Sequence, residues 1–278
     1  MPVLDTAAGP VGYSDRGSGP ALVLVHGFLF DKRMWAPQLD SFVSLGYRVV
    51  CVDMVGFGDS ASTGTVIPMA AHTRAITAVL DALGVEHAVL LGYSMGGQVA
   101  LDFAATHPHR LIALVLSDTF AGLDAPEGRT GRLALADRLE REGVTEYAEE
   151  FLPLVLSPRS LRERPQVADR AREMMSDANP ASVAAALRGR AERRDYTDVA
   201  RDLGVPTLVV VGEEDQFDRG VLGAELAALF PDGRLVTIGR AGHTPSMEAS
   251  AAFDSAVAEF AGQVVSDSEY GAVSDSDS

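Results

Sequence analysis

Five short runs of apolar residues are the feature of this sequence that most restricts its fold. Strands that are apolar at every position are typical of parallel sheets whose two faces are both covered by helices. Between the runs, apolar residues recur at helical spacing, as Trp35, Leu39 and Phe42 do. This alternation predicts βαβ units and a doubly wound, mostly parallel sheet, an α/β fold. The runs are residues 21–25, 47–52, 87–91, 111–116 and 206–211.

The segment from residue 120 to residue 203 interrupts this alternation. It lacks apolar runs and is rich in Arg, Glu and Ala at helical spacing, and it is too long for an ordinary crossover or a structureless loop. We therefore predict an inserted helical cap over residues 120–203, with residues 1–119 and 204–263 forming the core. Residues 264–278 are acidic and of low complexity, which predicts a disordered tail.

Composition limits the partners that the protein could have. The chain has 278 residues, a net charge of −16 and one cysteine, Cys51, inside an apolar run. An acidic surface disfavours binding to nucleic acid or to anionic membranes. There is no run of eighteen apolar residues and no basic N-terminal leader, so we expect no membrane segment and a cytoplasmic location. Nothing in the sequence indicates an oligomeric state.

A serine stands at a predicted turn between a strand and a helix. The motif Gly92-Tyr93-Ser94-Met95-Gly96-Gly97 follows the apolar run 87–91 and precedes a helix of small residues. Glycines two positions either side of a serine allow strand and helix to approach closely while the hydroxyl is held at the sheet edge. The same pattern also occurs in ordinary glycine-rich turns, so the rest of the chain decides its meaning.

A serine nucleophile needs a base, and the base needs an acid to orient it. Of six histidines, His243 lies in a loop before the last helix, His26 shapes the loop after the first buried strand, and His72 falls in a helix that we expect to be exposed. Asp215 follows the run 206–211, so it falls at the same sheet edge as Ser94. Asp118, after the run 111–116, is the strongest competitor for the role of the acid.

Two backbone N–H groups are expected to stabilise the negative charge that develops on the attacked carbonyl oxygen. Met95, directly after the serine, supplies one, and Phe28, in the loop after the first buried strand, supplies the other. This chemistry needs no metal and no cofactor.

Taken together, these motifs resemble the α/β-hydrolase superfamily, in the branch with a helical cap that includes 3-oxoadipate enol-lactonases and small carboxylesterases. The resemblance spans nearly the whole chain apart from the cap and tail. It implies the α/β-hydrolase fold, with Ser94 as nucleophile, Asp215 as acid and His243 as base. One departure is Val55, where relatives commonly have proline. The matching segments are residues 26–28, 53–60, 92–97, 114–119, 212–215 and 242–245.

The resemblance implies a serine hydrolase that cleaves an ester or lactone of a small-molecule substrate through an acyl-enzyme. Alternatives are a carbon–carbon bond hydrolase or lyase using the same triad, and a non-catalytic ligand-binding member of the fold. Apolar residues expected to line the pocket are Leu29, Phe120, Phe151 and Phe217. Arginines of the cap could bind one substrate carboxylate, namely Arg159, Arg188, Arg190, Arg193 and Arg194.

Overall fold

A computed structural model describes residues 2–6, 9–62, 64–218 and 220–274. Its eight strands form one sheet in the order β1-β2-β4-β3-β5-β6-β7-β8. The five apolar runs become β3 to β7 with bounds shifted by at most two residues. The strands are β1 (Val3–Thr6), β2 (Gly9–Arg16), β3 (Ala21–Val25), β4 (Arg48–Val52), β5 (Ala88–Tyr93), β6 (Leu111–Ser117), β7 (Thr207–Gly212) and β8 (Gly233–Ile238).

Strands β3 to β8 run parallel, and only the edge hairpin β1–β2 is antiparallel to its neighbours. The central strands β3 and β5 are buried at every position, as expected for a sheet covered on both faces. The predicted doubly wound, mostly parallel sheet is confirmed. Cys51 is buried on β4, and burial raises the pKa of its thiol to about 12, so this residue is part of the core.

Helices connect the parallel strands and pack against them. Outside the segment between β6 and β7, α1 contacts α12, and α2 contacts α3, the helix that follows Ser94. Within the part of the chain that the structure describes, none of the helices could span a membrane. These helices are α1 (Ala36–Ser44), α2 (Met69–Ala82), α3 (Met95–Thr106), α10 (Leu222–Leu229), α11 (Pro245–Glu248) and α12 (Ser250–Ser274).

Six helices stand between β6 and β7, and we call them the cap helices. Tyr196 anchors this segment to α3 just before the last of the six helices. Its side chain is fully buried, and its hydroxyl donates to Asp102 Oδ1 over 3.1 Å. The short helices α6 and α9 have no counterpart in the sequence prediction. The cap helices are α4 (Pro126–Glu142), α5 (Thr145–Val155), α6 (Pro158–Glu163), α7 (Pro165–Asp177), α8 (Pro180–Ala191) and α9 (Thr197–Asp202).

The predicted start of the disordered tail is wrong. Helix α12 continues to Ser274, and Val264 is buried in the core. The reason is the spacing of Val257, Phe260, Ala261 and Val264, which are all buried and repeat at positions i, i+3, i+4 and i+7 of one helix face. The folded chain therefore continues past residue 264, and residues 275–278 lie outside the described part of the chain.

His72 is buried, although its helix appears exposed from the sequence. The side chain has no accessible surface, and neither ring nitrogen has a hydrogen-bond partner among the described residues. It lies on the face of α2 that also buries Ile76 and Val79. Burial lowers the pKa of His72 to about 3, and the neighbouring His26 adds to this effect. The native state therefore holds this imidazole neutral.

This burial predicts a loss of stability in acid. The unfolded chain binds a proton at His72 below about pH 6.5, whereas the folded chain binds it only near pH 3. Stability is therefore unaffected above pH 6.5 and falls between pH 6.5 and pH 3, by at most about 5 kcal/mol from this group, since each pH unit is worth about 1.4 kcal/mol. We expect His72→Leu to lose less stability than the natural chain over this range in urea unfolding.

The matched control is His109→Leu, because His109 is exposed on the short turn before β6. This variant should follow the pH dependence of the natural chain. Equal acid sensitivity in His72→Leu and His109→Leu would contradict the assignment of this loss to His72.

Candidate active site

Ser94 occupies a strained turn between β5 and α3. Its backbone has φ 51° and ψ −113°, a left-handed φ that is costly for any residue except glycine. The turn is closed tightly, because a Cβ at position 92 would overlap the Gly96 carbonyl and one at position 96 would overlap the His26 carbonyl. The Ser94 N–H donates to the Ser117 carbonyl over 2.8 Å, which anchors the turn to β6.

His243 connects Ser94 to Asp215. Its Nε2 lies 3.0 Å from Ser94 Oγ, and its Nδ1 lies 2.8 Å from Asp215 Oδ2. The Asp215 carboxylate accepts a hydrogen bond from Nδ1–H. The neutral imidazole therefore presents an unprotonated Nε2 to the serine hydroxyl. The imidazole and carboxylate are both buried, and Ser94 is half-buried. The structure thus brings together all three residues that the motifs single out.

The two candidate acids have different environments. Burial opposes ionisation of Asp215, but the hydrogen bond and charge of His243, together with backbone N–H groups, lower its pKa overall. Burial raises the pKa of Asp118 well above its usual range, and the adjacent Asp215 charge adds to this. Asp118 accepts from the Gly212 N–H over 2.9 Å and from the Ser117 hydroxyl over 2.6 Å. Asp215 is therefore the ionised partner of the imidazole.

Asp118, Asp215 and His243 also form a cluster that could hold a metal ion. Potential ligand atoms of the three residues all lie within 4.8 Å of one another. However, both nitrogens of His243 already take part in hydrogen bonds, to Asp215 and Ser94. The geometry fits proton transfer from Ser94 to His243, with Asp215 orienting the imidazole.

The loop after β3 lies against the serine. A Cβ at Gly27 would be 3.2 Å from Ser94 Cβ, so the Phe28 backbone is next to the nucleophile. Among the described residues, neither the Phe28 N–H nor the Met95 N–H donates to a protein acceptor. Both are thus free to bind an oxyanion. His26 fixes this loop, because its Nε2 accepts from the Met54 N–H over 2.9 Å and its Nδ1 lies 2.8 Å from the Gly27 carbonyl.

Glu248 holds the loop that carries His243. Its Oε1 accepts hydrogen bonds from the Gly242 N–H and the Thr244 hydroxyl, both over 3.0 Å. Its Oε2 accepts from the Ser157 N–H of the cap segment over 2.8 Å. Because this carboxylate is buried, the hydrogen bonds replace lost hydration. Glu248 therefore links the imidazole loop to the cap helices.

A cavity of about 240 Å³ opens beside the three residues. Phe28 and Ser94 both line this cavity. Tyr147 and Phe151 of α5 also line it, and their rings stack with centroids 5.5 Å apart. The Phe217 ring lies 4.7 Å from the His243 ring and is 43% exposed. Apolar walls with a few converging polar groups are typical of small-molecule sites.

Three of the four predicted pocket residues line this cavity, namely Phe120, Phe151 and Phe217. The prediction for Leu29 is wrong. Its backbone is left-handed, with φ 63°, its side chain is fully buried in the hydrophobic core, and it is absent from the described lining of the cavity. A left-handed backbone is unusual for leucine, so the sequence did not indicate this conformation.

Sequence reasoning missed several polar residues that line the cavity. Arg132 of α4 and Asp124 form an ion pair of 2.7 Å. Of the cap arginines named above, Arg190 lines the cavity and the other four do not appear in its described lining. These side chains come from separate helices, so no local motif marks their convergence.

A serine, a histidine and an aspartate linked by hydrogen bonds at the edge of a parallel sheet are typical of a hydrolase. The family model for the alpha/beta hydrolase fold matches residues 20–250, so the chain belongs to the α/β-hydrolase family and is an enzyme of that family. The resemblance to enol-lactonases and esterases is likewise supported by solved structures.

Among curated relatives, a 2-hydroxy-6-oxononadienedioate/2-hydroxy-6-oxononatrienedioate hydrolase from Burkholderia vietnamiensis is 32% identical over 263 residues, covering 90% of each chain. A thermophilic esterase from Thermogutta terrifontis, solved with malate bound, is 36% identical with a TM-score of 0.91, covering 94% of this chain and 98% of that one. The enol-lactonase from Burkholderia xenovorans LB400 is 26% identical with a TM-score of 0.86, covering 93% and 99%.

Proposed function

We propose that this enzyme hydrolyses an ester or lactone of a small organic substrate through an acyl-enzyme intermediate. The observation that carries the proposal is the continuous hydrogen-bonded chain from Ser94 Oγ through His243 to Asp215, set in a cavity with apolar walls. The similarity to an esterase and an enol-lactonase supports the same chemistry.

The reaction proceeds in two halves. In the first, His243 Nε2 takes the proton from Ser94 Oγ as that oxygen attacks the substrate carbonyl. The N–H groups of Phe28 and Met95 bind the resulting oxyanion, each contributing about 3 to 4 kcal/mol to the barrier reduction. The imidazolium, stabilised by Asp215, then protonates the leaving oxygen. In the second half a water attacks the acyl-enzyme by the same route and releases the acid.

The division of the chain follows from these roles. We assign the triad and the oxyanion donors to the core of residues 1–119 and 204–263, and substrate selection to the cap of residues 120–203. Cap helices α4, α5 and α8 supply Leu135, Tyr147, Phe151 and Leu187 to the cavity. No cofactor enters the proposed reaction.

The proposal is tested by covalent trapping with a fluorophosphonate. Ser94 Oγ should displace fluoride and form a stable adduct, which mass spectrometry of the digested protein locates on the peptide containing Ser94. Labelling needs His243 as the base, so His243→Ala should react much more slowly, by roughly 100-fold or more given the usual effect of a general base. An adduct on another residue, or equal labelling of His243→Ala, would contradict the mechanism.

Carbon–carbon bond hydrolysis is the second candidate. It is favoured by the similarity to the Burkholderia vietnamiensis hydrolase over 90% of both chains. In this reaction the site would act on a ketone carbonyl, and the leaving group would be a carbon atom that takes up a proton. Turnover of 2-hydroxy-6-oxononadienedioate with no hydrolysis of p-nitrophenyl esters would favour this candidate over the first.

A further inference from the structure

Arg190 is a half-buried cation that lines the cavity and has no ionic partner among the described residues. It lies on α8, and its Nε donates to Gln98 Oε1 over 2.8 Å. Gln98 is on α3, one helical turn after Ser94. Among the described residues, no carboxylate lies within ion-pair distance of Arg190, and its terminal nitrogens donate no hydrogen bond to a described group. Burial and the adjacent Arg132 charge lower its pKa.

The neighbourhood of Arg190 carries excess positive charge. Asp124 is the nearby acid, and Arg132 already pairs with it at 2.7 Å. Arg132 Nε is itself buried without a hydrogen-bond partner among the described residues. Arg190 and Arg193 also lower the pKa of Asp124 through their charges. Three guanidinium groups therefore surround one carboxylate, in a chain whose net charge is −16.

Three other arginines of the cap have partners within the protein. Arg188, on the same helix, pairs with Asp137 at 2.8 Å and with Glu140 at 2.6 Å. Arg159 pairs with Glu163 at 2.8 Å. Arg193 donates to the Ala121 and Gly122 carbonyls. Arg190 thus differs from Arg188 and Arg159 in its lack of a carboxylate partner, and it differs from all three in that it lines the cavity.

We propose that Arg190, with Arg132 beside it, binds a carboxylate of the substrate that is separate from the scissile carbonyl. A guanidinium binds a carboxylate through paired N–H donors, and a partly desolvated cation without a counter-ion is stabilised when an anion binds. The inference rests on the proposed function, because the carboxylate is assigned to the acyl substrate. The substrate class is then an ester or lactone acid with an apolar segment against Phe28, Phe120 and Phe151.

The test compares ester pairs of equal length that differ in one terminal carboxylate. The mono-p-nitrophenyl esters of adipate and suberate are set against p-nitrophenyl hexanoate and octanoate. We expect the unmodified enzyme to prefer one carboxylate ester over its neutral partner by roughly 10-fold or more in kcat/KM, in keeping with the strength of charged hydrogen bonds. This measurement needs no variant.

Arg190→Met should lower kcat/KM for the preferred carboxylate ester by roughly 10- to 100-fold, mostly through a higher KM. For the neutral ester, kcat/KM should stay within about 3-fold of the natural enzyme. Arg188→Met is the matched control, because it removes a guanidinium of the same helix that is already paired. This control should keep the natural preference. Equal loss with both kinds of ester in Arg190→Met, or no preference in the natural enzyme, would overturn the inference while leaving ester hydrolysis intact.

Binding separates the two proposals further. Monomethyl adipate or monomethyl suberate should bind the Ser94→Ala variant in calorimetry, and dimethyl adipate or dimethyl suberate should bind at least about 10-fold more weakly. Failure of every p-nitrophenyl ester to react would count against the proposed function alone if this binding preference is present. Equal binding of the monoesters and diesters would count against the carboxylate site.

Discussion

Ser94→Ala is expected to lower kcat/KM for p-nitrophenyl esters by roughly 10⁴- to 10⁶-fold, because the nucleophile and its covalent intermediate are both lost. The fold should persist, since the strain of the turn lies in the backbone and alanine keeps the Cβ. Steady-state hydrolysis, with circular dichroism as the check on folding, measures both properties.

Ser44→Ala provides the matched control, because Ser44 is exposed at the end of α1 and its hydroxyl donates to the nearby Ser41 carbonyl. Its activity should equal that of the natural enzyme. Retention of more than about one hundredth of the natural activity in pure Ser94→Ala would show that another group performs the attack, since loss of a nucleophile normally costs far more.

Replacing Asp215 and Asp118 by asparagine distinguishes the two candidate acids. Asp215→Asn is expected to reduce kcat by about 10⁴-fold, because an amide cannot stabilise the imidazolium and favours the wrong tautomer. Asp118→Asn should reduce kcat by less than about 10-fold, because burial and the Asp215 charge already disfavour its charged form. Both substitutions preserve side-chain shape, so each is the control for the other.

The comparison is made at neutral pH under saturating substrate. A large loss in Asp118→Asn together with a small one in Asp215→Asn would reverse the assignment of the acid. Losses of similar size would mean that the two carboxyl groups act as a unit.

The core of the fold was predictable because its strands are encoded locally. Residues 21–25 are apolar throughout and become β3 with the same bounds, since burial on both faces leaves no polar position. The triad was also accessible to sequence reasoning. Ser94, Asp215 and His243 each follow a strand, and parallel strands bring their carboxyl ends to one edge.

His72 shows where a local signal existed and was overlooked. It lies four residues before Ile76 and seven before Val79, so it shares the buried face of α2 with them. Because histidine is polar, the helical spacing that His72 shares with these apolar residues was not recognised. Val264 was missed for a related reason, because the acidic composition after it hid the continuing periodicity of α12.

The cavity residues were harder to predict because they converge only in the folded chain. Arg132 and Arg190 are 58 positions apart in the sequence and come from different helices, and similar arginines nearby are paired on the surface. Leu29, an apolar residue that we expected in the pocket, does not line the cavity. The backbone of Leu29 is left-handed and its side chain lies in the core. Because this position holds leucine and not glycine, the sequence does not indicate the left-handed conformation.

Several polar links from the cap to the rest of the protein limit how the enzyme can open. Among the buried ones, Glu248 binds Ser157, Tyr196 binds Asp102, and Thr244 binds Val155. Parting all of them would leave buried polar groups unpaired at about 1 to 3 kcal/mol each. A wholly detached cap would thus occupy less than about one molecule in a hundred. We expect substrate to enter and leave by a local displacement of Phe217, the exposed ring next to His243. This side-chain motion is much faster than detachment of the cap.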